Sequence, residues 1–177
     1  MSTLRSARLS LALFIATGTA AAVAQGPSLG QAISASDIAA WDLTVMPDGT
    51  GLPSGRGTPE QGAAVFAQKC AACHGENGKG GISSALVSDR RRTSIDGAEK
   101  TIPNFWPYAT TLFDYIRRAM PWQLPRSLSD DEAYALTAFL LAQNKLIGPS
   151  EAMDAKSLPK VRMPNEGGFI DRFPELM

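Results

Sequence analysis

Two cysteines and the chain's single histidine stand together as Cys70-Ala71-Ala72-Cys73-His74, and no other Cys or His occurs in the 177 residues. This pentapeptide constrains the fold more than any figure of composition. Cys-x-x-Cys-His is the attachment pattern of a c-type haem. One helical turn brings both sulfurs to the porphyrin edge, where thioethers hold it, and the next residue projects an imidazole at the iron. Other readings of the pair fit less well. A thiol redox centre expects a preceding strand and a thioredoxin-like α/β pattern, which the flanking sequence lacks. A structural zinc site needs four ligands, and no further Cys or His is there to complete one. A plain disulfide is geometrically open, but it leaves the glycine-rich segment that follows without a core.

The amino terminus reads as an export signal. Arg5 and Arg8 precede the apolar stretch 9–16, small residues follow, and Ala22-Val23-Ala24 suits signal peptidase, so cleavage is expected after Ala24. Thr17, Gly18 and Thr19 interrupt the apolar run well short of the roughly 20 residues that a membrane span requires. Block 133–142 is also too short to span and reads as a buried helix. A periplasmic location follows, with no membrane span once the signal is removed. Outside the cytoplasm, cysteines are normally bridged or held by a cofactor. The 17 basic and 17 acidic residues balance in the whole chain. Loss of the two arginines leaves a mature charge of about −2, which argues against a nucleic-acid binder.

After the signal peptide (1–24), the sequence predicts an extended N-terminal arm (25–57), a haem domain (58–146) and an extended C-terminal strap (147–177). One helical turn is expected near Ser36 to Trp41. Thr58, Pro59 and Gln61 form an N-cap, an N1 proline and a capping-box partner, opening a helix whose Gly62, Val65, Phe66 and Cys70 share one face. Between Gly75 and Pro103 a long loop is expected, with Arg90-Arg91-Arg92 exposed on it or used for docking. A short helix runs from Thr111 or Leu112 to Ala119, before Pro121. Ser129 and Glu132 open a final helix to about Asn144, apolar on more than one side.

With His74 as the only histidine, the sixth iron ligand is expected to be a methionine. The mature chain offers Met46, Met120, Met153, Met163 and Met177. Met120 is favoured by its place between two helices, with Met46 and Met163 as the main alternatives. Trp106 and Trp122 are candidates to line the haem or simply to pack. Arg117 and Arg118 are candidates to pair with haem propionates or a partner's acids, or to form a solvated face.

Gly62, Phe66, the motif at 70–74, Met120-Pro121 and the final helix together resemble the class I monohaem cytochromes c over roughly residues 58–144. The resemblance implies an all-α cage of three to five helices around one covalent haem c. In it the first and last helices cross at Gly62, opposed by Tyr134 or Phe139. Many members place a proline soon after the motif, whose carbonyl accepts the histidine Nδ1 proton. Gly75 to Ile102 contains no proline, so that acceptor stays unassigned. Longer phrases, at 41–45, 106–121 and 158–165, are similar to haem subunits of periplasmic molybdenum sulfite dehydrogenases and related sulfur dehydrogenases. That likeness implies a molybdenum-containing dehydrogenase partner, a downstream acceptor such as another cytochrome or a terminal oxidase, or both. With both axial positions taken by protein, the expected work is single-electron transfer, without turnover by the chain alone. A bound subunit whose arms lie on its partner and a free carrier whose arms wrap its own core both fit, and arms so long beside so small a core favour the bound subunit.

Overall fold

The structure is a computed structural model and describes residues 30–89 and 99–169. The expected signal peptide, Arg90–Arg92 and Met177 lie outside the described residues. The chain divides into two compact units, residues 1–41 and 42–177. In the first, helix α1 spans Ala35–Trp41. It starts one residue ahead of the expected turn because Ser34 caps it. The Ser34 hydroxyl accepts the Asp37 N–H at 3.2 Å and the Asp37 carboxylate accepts the Ser34 N–H at 3.0 Å.

In the second unit, α2 spans Pro59–Lys69, with the capping box of Thr58 and Gln61 closed in both directions. The helix stops at Cys70, whose backbone leaves the helical region at φ −126° and ψ −34°, and a fresh turn, α3, spans Ala71–His74. The motif therefore occupies its own short helix behind a kink, rather than the last turn of α2. The segment read as one loop contains a 3₁₀ turn, Glu76–Gly78, and helix α4, Ile102–Phe105. Helix α5 spans Ala109–Ala119 and α6 spans Asp130–Gln143. α5 begins earlier than expected because Thr110, two residues into it, donates its hydroxyl to the Pro47 carbonyl at 3.3 Å, a tertiary contact with no local cap signal. Among the described residues the fold is all-α apart from one antiparallel pair, β1 (Arg56–Gly57) with β2 (Met153–Asp154). No helix among the described residues is long and apolar enough to cross a membrane.

The core is built on α6, in which every residue from Ala133 to Leu141 is buried. A helix apolar all round needs cover on all sides. α2 covers one side: a Cβ on Gly62 would lie 1.9 Å from the Ala135 carbonyl oxygen and 2.6 Å from the Phe139 Cβ, so only glycine permits this approach. Phe66 and Phe139 rings meet beside it at 5.1 Å, which makes Phe139 the opposing aromatic. α5 covers a second side, with Phe113 against Tyr134 at 4.4 Å. Tyr134 also donates its hydroxyl to the Pro53 carbonyl at 2.9 Å. Chain flanking the helices covers the rest. Val45 from the N-terminal side, and Met153, Leu158 and Met163 from the C-terminal side, are all buried in the same core.

Candidate functional site

α2, α3, α5 and α6, with the chain at 83–86 and 120–123, line an open-sided cavity of about 320 Å³. Its walls are largely apolar, including Phe66, Leu86, Ile116, Leu136 and Leu140, and into them are set Cys70, Cys73, His74 and Met120. The sequence-predicted residues thus line one space. Local folding explains their arrival there: the kink at Cys70 turns the motif off the axis of α2, and α5 ends at the extended residue Met120. Of the other methionines, Met46 is exposed while Met153 and Met163 are buried in the core cluster, and none of the three lines the cavity.

Cys70 and Cys73 are both unbridged. Burial pushes the Cys70 thiol up to about 11, against the pull of Lys69 and with a smaller push from Cys73. His74 places Nδ1 3.1 Å from the Ser84 carbonyl oxygen. A carbonyl only accepts, so this bond requires the proton on Nδ1 and leaves the Nε2 lone pair free as a ligand. Ser84 is the acceptor that the sequence left unassigned. Its role belongs to the main chain, which no side-chain pattern announces.

The same loop is stitched to the motif elsewhere. Ser83 N–H donates to the Cys73 carbonyl and Gly80 N–H to the His74 carbonyl, both at 2.8 Å. Gly75 (φ 75°) and Gly80 (φ 103°) supply the left-handed backbone that lets the chain double back so tightly, and a Cβ on Gly75 would fall 2.0 Å from the Gly80 carbonyl oxygen.

The remaining candidates sort plainly. Trp122 lines the cavity but is 77% exposed, so it forms the rim. Trp106 packs against Phe105 and Tyr115 at 5.9 and 5.4 Å and does not line the cavity. Arg117 pairs with Asp130 at 2.6 Å and Arg118 with Asp114; neither lines the cavity, and both find their acids within the chain.

The donor set fits a covalent haem. Two unbridged thiols sit on one wall, an imidazole has its tautomer fixed for Nε2 ligation, a thioether shares the cavity, and the walls between them are apolar. Residues 57–140 match the family model described as cytochrome C oxidase, cbb3-type, subunit III. A chain in the crystal structure of the sulfane dehydrogenase SoxCD from Paracoccus pantotrophus is 36% identical, with a TM-score of 0.75, over 85% of this chain and 75% of that one. This chain is a c-type cytochrome. The family implies haem c, and electron transfer is what such a domain does. Of the residues on this cavity, Cys70 and Cys73 would hold a haem c through thioethers, and His74 and Met120 would be the donors offered to its iron. Haem c supplies a reversible one-electron couple. The protein's part is to exclude water with Phe66, Ile116, Leu136 and Leu140, and to keep the His74 Nδ1–H donated to the Ser84 carbonyl.

Proposed function

We propose that this cytochrome carries one haem c, linked through Cys70 and Cys73 and ligated by His74 and Met120. It is exported to the periplasm and accepts electrons from a molybdenum-containing dehydrogenase acting on reduced sulfur compounds, passing them to a further cytochrome or an oxidase. The observation that carries the reading is the meeting of both thiols, the only histidine and one methionine on a single apolar cavity. The extent of the likeness to a sulfane dehydrogenase chain supports the choice of partner. Two protein ligands leave no coordination site for a substrate, so the cytochrome alone does not oxidise sulfite or thiosulfate.

The reading is tested on the mature protein made with haem-ligation machinery. Acid-solvent extraction after denaturation should leave the haem on the polypeptide, and the haem should be reduced by substrate only when the dehydrogenase is present. Haem released into the solvent with both thiols titratable would overturn the attachment. Fast reduction by sulfite without any partner would overturn the carrier role.

The freely diffusing carrier gains support from the packing. The described residues 42–57 and 147–169 supply Val45, Met153, Leu158 and Met163 to the cytochrome's own core, so the length of the arms no longer speaks for a partner. Co-purification with a dehydrogenase from the native source separates a bound subunit from a free carrier.

A further inference from the structure

We infer that Asn144 is a positioning residue for the haem-ligating histidine, acting through the loop that carries the Ser84 carbonyl. The inference rests on the proposed ligation of iron by His74. Asn144 follows the last residue of α6 and is only 7% exposed. Its side-chain amide reads two alternate residues of the loop as a neighbouring strand would. Oδ1 accepts the Ser88 N–H at 3.1 Å and Nδ2 donates to the Leu86 carbonyl at 3.3 Å. The second Nδ2 proton goes to the Leu140 carbonyl at 2.8 Å, inside α6. The amide is therefore engaged at both ends, and its orientation is fixed by what it bonds.

The consequence lies two residues upstream of Leu86. Ser84 presents the carbonyl that holds the His74 Nδ1 proton, yet Ser84 itself is exposed. Leu86 and Val87 pack against the core, but the exposed Ser84 is placed only through the main chain that joins it to them. Main-chain bonds from Leu86 and Val87 N–H to the Gly78 carbonyl steady it on one side. Asn144 steadies it on the other, against the end of the most deeply buried helix. A firm Nδ1–H···O bond raises the basicity of the imidazole, and a more basic ligand favours ferric iron. Loosening the clamp lets the Ser84 carbonyl drift, weakens that bond and shifts the couple toward ferrous.

The test uses the haem-loaded protein. Asn144→Ala should shift the reduction potential in the positive direction and speed exchange of the His74 ring Nδ1–H, followed by NMR, at least tenfold. Met153→Ala, a core truncation outside the cavity lining, should lower stability without either change. If Asn144→Ala lowers stability but leaves potential and ring exchange as Met153→Ala does, the amide is structural only and the inference falls. Should Asn144→Ala fail to fold, the wild-type protein still decides. The Ser88 N–H and the His74 Nδ1–H should then exchange through one opening with the same dependence on urea, and separate openings overturn the clamp. A wild-type spectrum lacking a hyperfine-shifted His74 ring would sink the ligation reading and this inference with it.

Discussion

Methionine serves two purposes in this chain, and burial separates them. Met153 is fully buried and Met163 nearly so, both within the core cluster, while Met120 is half-buried on the cavity wall. Truncating a buried methionine to alanine removes packed volume and costs about 2–5 kcal/mol. Removing a ligating thioether changes the iron's axial field instead. Met120→Ala is expected to abolish the sulfur-to-iron charge-transfer band of the oxidised protein and to lower its potential, since a thioether favours the ferrous state. Met153→Ala is expected to lower the unfolding free energy by that core cost and keep the band; optical spectra and urea titration of both variants check this. A band retained in Met120→Ala and lost in Met46→Ala or Met163→Ala would move the ligand to an arm. The sequence pointed to Met120 by elimination of histidine and by its place between helices. It could not point to Ser84, because every residue type has a carbonyl and only the return of the loop onto His74 selects this one.

At the level of the helices, two close fits fix the frame around the cavity. In an exposed helix, Gly→Ala is worth up to about 1 kcal/mol in favour of alanine. At Gly62 the new methyl would meet the Ala135 main chain at 1.9 Å, and backbone cannot rotate away. Gly62→Ala is therefore expected to destabilise by at least the roughly 1–3 kcal/mol typical of overpacking. A higher midpoint in thermal unfolding would refute the tight crossing of α2 and α6. The second fit is at the start of α6, where Glu132 accepts from Lys69 at 2.5 Å and from Ser129 N–H at 2.9 Å. The Lys69 bond, then the Ser129 bond, hold its carboxyl below its ordinary 4.5. A depressed carboxylate contributes stability that is present above the ordinary value and fades as pH falls through the folded one. Glu132→Gln keeps a residue suited to the capping box but cannot titrate. Its stability should trail the parent near neutrality, and the gap should narrow as pH falls below the ordinary glutamate value and through the lowered one. A gap unchanged across that range in urea titrations would show that the ion pair contributes nothing. Both capping boxes were legible because caps are local. The start of α5 was not, because Tyr108 gives no side-chain cap and the Pro47 contact comes from far along the chain.

Across the whole molecule, the segments flanking the helices matter as much as the helices do. Capping boxes mark α2 and α6, but no local signal marks residues 42–57 and 147–169, which bury single side chains rather than a repeating face. β1 and β2 join the two segments, with Gly57 opposite Met153, and a Cβ on Gly57 would lie 2.1 Å from the Ala135 nitrogen. The pair thus lies directly on α6. Asn165 adds a bond of 2.7 Å from its side-chain amide to the Phe105 carbonyl. Ending the chain at Ser150 would remove Met153, Leu158 and Met163 together. Full burial of such side chains is worth about 1.5–3 kcal/mol each, and their combined loss is comparable to the whole net stability of about 5–15 kcal/mol for a domain of this kind. The shortened protein is therefore expected to lose cooperative thermal unfolding and to retain haem, if at all, only through its thioethers. If it instead melts as the full chain does while failing to co-purify with a dehydrogenase, the C-terminal strap serves a partner, and its place over α6 contributes little to the fold.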